Sequence, residues 1–371
     1  MKYLFILGRN HELSIAEIEE YLDKIENPIK KLTQVNNGLL VEVENPLLEN
    51  TITYLGGTIS IGEILTSGTE KLIFEKLDKI MIYLGENNKL TYTLWDFSEI
   101  GELTKEYLKQ RFKEEKLKAT FKGLTGKIKN QEGEKDEKPS SKLIEEEYFI
   151  FQEEGIEYFG KITEKCDYES IENRDMNKPV RRESLAISPR LAKILINLAK
   201  LKTGDKLLDP FCGVGGIMQE ALLQNMTALG VDNDGDAIKG AQKNLEWFGF
   251  SPESYELIHF DSTKVSISPV TAVATEPDLG NILKKIPTKG MAENTLKDFE
   301  KLIVQVINNV KKMVEGRIVF TSPYIRIGKK RLSCNIENIC ERTGYHEVRE
   351  SLPEFRENQV VGRMIYVLEK N

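Results

Sequence analysis

The chain has 371 residues, 40% hydrophobic and 30% charged, with a formal net charge of −7. That length holds two or three domains, and no apolar run approaches the ~20 residues of a membrane span. No signal peptide is evident at Met1–Arg9, and four cysteines (Cys166, Cys212, Cys334, Cys340) form no CxxC pair, so neither a disulfide framework nor a metal site is expected and a reducing cytoplasm fits.

Residues 1–55 alternate short strands (Lys2–Leu7, Gly38–Val43) with a helix. Ser14, ahead of Ala16-Glu17-Ile18-Glu19, reads as its N-cap, with acids in the first turn. Between about 57 and 165 lie strand-like runs (Lys89–Leu94, Tyr148–Phe151, Tyr158–Ile162) and a lysine-rich helix, Lys105–Lys118. From Leu103 to Gln131 nine Lys/Arg outnumber three acids. A local basic face is all that phosphate binding needs, even in an acidic protein, so Lys109, Arg111, Lys113, Lys116 and Lys118 are candidate nucleic-acid contacts. The polar run Glu132–Ser141 reads as an exposed loop, and Cys166 to about Val180 as an inter-domain linker.

From Leu185 strands and helices alternate, which argues for a parallel sheet. Helix Pro189–Lys200 leads to strand Lys206–Asp209, helix Val214–Leu223, strand Ala228–Asp232, helix Gly235–Phe248 and strand Tyr255–Asp261. Strand Thr271–Thr275, helix Met291–Val314 and strand Gly316–Thr321 follow, and a second basic cluster (Arg326, Lys329, Lys330, Arg331) comes after the last of these. Helix Asn335–Thr343 and strands Tyr345–Ser351 and Val360–Leu368 close the chain. Two final strands without a helix between them imply a hairpin, so the expected fold is α/β, a Rossmann-like sheet of seven strands with the last hairpin antiparallel.

The strongest chemical signal is Leu207-Leu208-Asp209-Pro210-Phe211-Cys212-Gly213-Val214-Gly215-Gly216. A buried strand ends in an acid, and a glycine turn then opens a helix, letting backbone approach a ligand beyond the strand ends. No Lys-Ser/Thr follows the glycines, so this is not a P-loop, and the glycine spacing is not that of a dinucleotide fingerprint. Asp209 is placed to take the ammonium of an amino-acid-bearing ligand. The next strand ends in Asp232-Asn233, where a carboxylate can accept from ribose hydroxyls, and the third in Asp261-Ser262, suited to an adenine amino group. The candidate cofactor site is thus Asp209, Pro210, Phe211, Gly213, Gly215, Asp232, Asn233, Asp261 and Ser262.

These features resemble the S-adenosylmethionine-dependent class I methyltransferases. Arg181-Arg182, Ser188-Pro189-Arg190-Leu191-Ala192, Ile196-Asn197-Leu198-Ala199 and Asn244-Leu245 look like the flanks of that loop in THUMP-domain RNA methyltransferases. Tyr3-Leu4-Phe5-Ile6-Leu7-Gly8-Arg9 with Glu12-Leu13-Ser14 and Ala16-Glu17 is similar to the opening of the archaeal and eukaryotic tRNA guanosine-10 N2-methyltransferases. The resemblance implies an N-terminal ferredoxin-like domain (1–56), a THUMP RNA-binding domain (57–165), a linker (166–184) and a class I methyltransferase domain (185–371). It also implies S-adenosylmethionine as cofactor, tRNA as partner, no metal and no membrane, with a small activating subunit needed by some relatives. Arg181 and Arg182 become candidate RNA phosphate contacts near the active site, with Arg190 beside them.

An exocyclic amino group is a poor nucleophile because its lone pair is delocalised into the ring. Acceptors on its N–H bonds localise that pair, and an aromatic side chain holds the extruded base. The family supplies these parts through an Asp/Asn-Pro-Pro-Tyr/Phe motif, for which this chain has Glu276-Pro277-Asp278-Leu279, making Glu276, Pro277 and Asp278 the candidate catalytic residues. Glutamate is longer by a methylene and leucine cannot stack; Tyr324, after the fifth strand on the same rim, is a candidate ring to compensate, with a plain loop aromatic as the favoured reading. A cytosine-5 enzyme needs a rim cysteine nucleophile, and the fourth strand has none. The expectation is N2-methylation of a tRNA guanine, at guanosine 10. The altered motif leaves two others open: a tRNA-binding protein of this fold with weak or lost catalysis, and an adenine-N6 DNA or RNA methyltransferase.

Overall fold

The computed structural model describes residues 1–129, 133, 135–139, 143–182, 187–280 and 285–370. In chain order the first part runs β1 (Lys2–Leu7), α1 (His11–Lys24), β2 (Ile29–Val35), β3 (Gly38–Val43), β4 (Thr58–Gly68), α2 (Glu70–Leu77), β5 (Lys89–Phe97), α3 (Gly101–Glu114), β6 (Lys118–Phe121), β7 (Gly126–Lys129), β8 (Lys135–Lys138), β9 (Glu146–Glu153) and β10 (Ile156–Lys165). Then come α4 (Tyr168–Met176), α5 (Pro189–Leu198), β11 (Lys206–Asp209), α6 (Gly216–Leu222), β12 (Thr227–Asp232), α7 (Gly235–Trp247), β13 (Tyr255–His259), β14 (Ala272–Thr275) and α8 (Lys289–Val310). The remainder is β15 (Ile318–Ile327), β16 (Lys330–Leu332), α9 (Ile336–Thr343), β17 (Tyr345–Glu347), β18 (Leu352–Glu354) and β19 (Val361–Lys370). Among the described residues no helix is long and apolar enough to cross a membrane.

Two compact units result. The first comprises Met1–His11, Glu26–Thr53 and Thr58–Cys166, around a sheet ordered β2-β3-β1-β4-β10-β9-β5-β6. Strand β4 pairs β1 on one side and β10 on the other, so one sheet runs through residues from both sides of position 57. Strands β7 and β8 form a separate ribbon. Part of the polar run expected as a loop at 132–141 is therefore a strand, while residues 132, 134, 140 and 141 lie outside the described residues. The lysine-rich helix starts earlier and ends earlier than expected, at Gly101 and Glu114.

The second unit comprises Glu12–Ile25, Tyr54–Gly57 and Asp167–Asn371. Its sheet is the expected Rossmann-like one, ordered β13-β12-β11-β14-β15-β19-β17, with short β16 on β15 and β18 on β19. Strands β11 to β15 pair in parallel and β19 is antiparallel to β15 and β17. Alternation along β11 feeds both faces: Leu207 packs with Leu195, Met218 and Leu245 from α5, α6 and α7, and Leu208 packs with Phe299, Ile303 and Ile339 from α8 and α9. Full burial of a leucine contributes about 2 kcal/mol each, so these two positions fix the register of the central strand.

Helix α1 packs within this unit. Ser14 is not its N-cap: the helix begins at His11, and the Ser14 hydroxyl donates to the Gly57 carbonyl at 3.0 Å. Glu17 is fully buried and accepts from the Gly56 and Gly57 amides, both at 2.7 Å, and from Asn197 Nδ2 at 2.8 Å. Burial pushes its carboxyl up while these donors pull it down, and the net is upward. The segment expected as a linker carries α4, whose N-cap Asp167 accepts from the Ser170 amide, a local cap signal in a charged stretch of weak periodicity.

Candidate functional site

The switch between β11 and β14, where the sheet reverses its winding, opens a crevice beyond the strand ends. A cavity of about 790 Å³ occupies it. The loop after β11 gives Pro210, Phe211 and Gly213 to the wall, the β12 end gives Asp232 and Asn233, the β13 end Asp261 and Ser262, and the β14 end Glu276, Pro277 and Asp278. Gly213 (φ +52°) and Gly215 (φ +86°) make the turn, left-handed conformations that side chains rarely adopt, and Gly215 caps α6.

Each acid has a distinct setting. Asp232 accepts from the Gly213 and Asp234 amides, both at 2.9 Å, leaving a second lone pair on each oxygen for a ligand. Asp261 accepts from the Thr263 amide and hydroxyl, and these bonds, with burial opposing them, hold its carboxyl below the usual range. Ser262 donates to the Pro210 carbonyl at 2.5 Å and so ties the β13 loop to the glycine turn.

Asp209 stands apart from its neighbours. It is 1% exposed and accepts from Thr275 Oγ1 at 2.6 Å and the Phe211 amide at 3.2 Å. It lines a recess of about 50 Å³, shared with Phe211, Gly213 and Glu276, rather than the main cavity. Burial pushes its carboxyl up to about 7. Gly215 does not line the main cavity either; its role is in the turn.

At the β14 end Glu276 meets a partner that the sequence reading missed. Arg363, on β19, donates through Nε to Oε2 at 2.5 Å and through Nη2 to Oε1 at 2.9 Å. Thr321 Oγ1 lies 3.4 Å from Oε2, and Glu354 stands 3.5 Å from Arg363 Nη1. Burial draws the guanidinium pKa down, but the Glu276 bonds and charge outweigh it and the net is upward. The available signal was an arginine inside the otherwise uncharged run Val361–Leu368 of the last strand, which needs a buried acid. Asp278 is exposed and accepts from the Gly280 amide at 2.9 Å, shaping the turn that follows.

Phe211 is the aromatic residue in the cavity wall among the described residues. Tyr324 does not reach it. Its ring is 5.7 Å from Phe355 and under the Arg331 guanidinium, because β15 continues past the sheet into a pairing with β16.

The expected basic contacts divide. Lys109, Lys113, Lys116 and Lys118 are exposed in the first unit, Lys109 with Glu106 at 3.6 Å. Arg111 is tethered instead, to Glu115 at 2.6 Å and Asp78 at 3.4 Å. In the second unit Arg182 lines the cavity and pairs with Asp234 at 2.7 Å, Arg181 lies 3.7 Å from Asp175, and Arg190 donates to the Gly56 carbonyl at 2.6 Å. Asn244 bridges the Val180 and Val214 carbonyls, holding the segment before the turn against α7.

Residues 179–321 match the UPF0020 family, described as the RMKL-like methyltransferase domain. The tRNA (guanine(10)-N2)-dimethyltransferase of Methanothermobacter thermautotrophicus is 38% identical over 96 residues, 26% of this chain and 28% of that protein. The enzyme of the same name from Pyrococcus abyssi is 28% identical over 172 residues, 45% of each chain. The matched region thus spans less than half the length of these relatives. The solved structure of TrmN from Thermus thermophilus matches over 100% of both chains with a TM-score of 0.56 at 14% identity, which shows the shared fold.

Proposed function

We propose that this chain, whose residues 179–321 match a methyltransferase domain and which is similar there to tRNA (guanine(10)-N2)-methyltransferases, is an S-adenosylmethionine-dependent tRNA (guanine-N2-)methyltransferase acting at guanosine 10. The observation that carries the reading is the gathering of Asp232, Asp261 and Glu276 from three strand ends around one cavity. About 790 Å³ lies in the range of cofactor sites, and the donor set fits the group: carboxylates for ribose hydroxyls and an adenine amino group, with the Phe211 ring as apolar wall. Bound there, S-adenosylmethionine supplies an electrophilic methyl group on its sulfonium.

The chain's own residues do the rest. Asp232 holds the ribose and Asp261 the adenine, while Asp209 faces the ammonium end from its recess, and that positive charge draws its raised carboxyl towards the anionic form. Glu276, held by Arg363 and Thr321, keeps an acceptor lone pair on Oε1, and with the Pro277 carbonyl it takes the guanine N–H bonds. Residues 1–56, of which 12–25 and 54–56 belong to the second unit, would be the ferredoxin-like part and 57–165 the THUMP part, gripping tRNA through Lys109, Lys113, Lys116 and Lys118. The linker assigned to 166–184 then includes α4. A cytoplasmic location and, as in some relatives, a small activating subunit fit this reading.

A second reading has a specific observation behind it. Arg363 engages both oxygens of Glu276, and Leu279 stands where the motif has an aromatic ring, as in a tRNA-binding protein with weakened catalysis. One experiment separates the two: transfer of a labelled methyl group from S-adenosylmethionine to tRNA. Incorporation that is lost in Glu276→Ala supports the enzyme, and cofactor binding without incorporation supports the binding protein.

A further inference from the structure

The cavity mouth is walled on one side by Gln359, Val360 and Val361, and this segment is bolted to a basic hairpin. Strands β15 and β16 pair Arg326 with Arg331 and Ile327 with Lys330 around a turn at Gly328-Lys329. Arg331 lies over the Phe355 ring at 4.3 Å and donates to the carbonyls of Tyr324 (3.1 Å), Gln359 (2.5 Å) and Val360 (3.4 Å). Arg326 reaches the Glu357 carbonyl at 3.2 Å, and its amide donates to the Val360 carbonyl at 2.8 Å. The two arginines are thus spent on carbonyl oxygens that carry no full charge, and their own charges stay uncompensated by those bonds.

Lys329 and Lys330 at the tip, and Arg356 beside it, are exposed. Among the described residues neither lysine takes part in an ion pair. Five cations therefore lie on the hairpin and on the segment it holds, which walls the cavity, in a chain whose net charge is −7. A cluster assembled against the overall charge, and fixed rigidly to a ligand-site wall, points to an anionic partner that passes over the mouth.

We propose that the β15–β16 hairpin is a second RNA-binding element, which holds backbone phosphates next to the target base as the base enters the cavity. This rests on the reading that the chain acts on RNA. It places a grip on the catalytic unit itself, in addition to the lysines of the first unit. Phosphate contacts of this kind position without reading sequence.

The test is binding of an unmodified tRNA transcript to the full chain, measured against salt, for wild type, Lys329→Glu with Lys330→Glu, and Lys329→Arg with Lys330→Arg. The glutamate variant is expected to weaken binding on the order of tenfold and to flatten the slope of log affinity against log salt by about 1.5. The arginine variant should retain wild-type affinity, and S-adenosylhomocysteine should bind all three equally. Wild-type affinity and slope in the glutamate variant overturn the inference. A wild-type chain that holds no tRNA overturns both this and the proposed function, whereas tRNA binding without methyl transfer removes the enzyme reading and leaves the hairpin to be judged on these slopes.

Discussion

Arg363 and Glu276 meet in a two-pronged ion pair although 87 residues separate them, with side chains 19% and 9% exposed. Glutamate carries one methylene more than the aspartate of the related motif, and this clamp fixes where its carboxylate ends. The pair is one unit, and disturbing either half should show in the rate.

Arg363→Met removes the clamp and leaves Glu276 free to swing by an ångström or more. We expect kcat to fall about 10²-fold, with S-adenosylhomocysteine affinity unchanged by calorimetry and partial rescue by added guanidinium. Because a broken buried pair can cost about 3–5 kcal/mol of stability, a melting curve must accompany the rate. Unchanged kcat in a folded variant contradicts the positioning role.

Asp232→Ala strips the acceptor from the Gly213 and Asp234 amides and from the proposed ribose contact together. Calorimetry should show cofactor affinity reduced at least about tenfold, since a hydrogen bond to a charged group is worth about 1.5–3 kcal/mol. Affinity equal to wild type removes Asp232 from the site.

Asp209 gives a pH signature. Its carboxyl rises from an ordinary 3.8 to about 7 in the folded chain because it is buried. The folded state therefore holds a proton that the unfolded state has released, so the stability Asp209 contributes is full below pH 4 and is lost as pH climbs towards 7. The loss runs at up to about 1.4 kcal/mol per pH unit. Asn is isosteric with the protonated acid, so Asp209→Asn should remove this dependence. Parallel unfolding profiles for the two proteins between pH 4 and 8 contradict it.

Lys109→Glu with Lys113→Glu should weaken tRNA binding and flatten its salt dependence, since both lysines are exposed. Arg111→Gln should do so far less, because its guanidinium is held by Glu115 and Asp78. Equal losses in the two proteins would show that the structure's division of these cations is wrong.

What the sequence made legible was local. The glycine turn after Asp209 and the acids at three strand ends follow from a few adjacent residues, and the strand–helix alternation gives the Rossmann-like sheet. What it hid depends on distance along the chain. Arg363 needed Glu276 to be understood, and Glu17 read as a first-turn acid until its partners Gly56, Gly57 and Asn197 came from 39 to 180 residues away. Tyr324 was expected at the rim from strand order alone, but the extension of β15 into the hairpin carries it off to Phe355. Strand β8 went unread because four charged residues in a row, Lys135 to Lys138, look like loop until β7 pairs with them.

The decisive measurement is mass spectrometry of nucleosides from unmodified tRNA incubated with the chain and S-adenosylmethionine. N2-methylated guanosine that disappears with Glu276→Ala is the expected product. N6-methyladenosine, or no methylated nucleoside at all from a chain that binds both cofactor and tRNA, would contradict it.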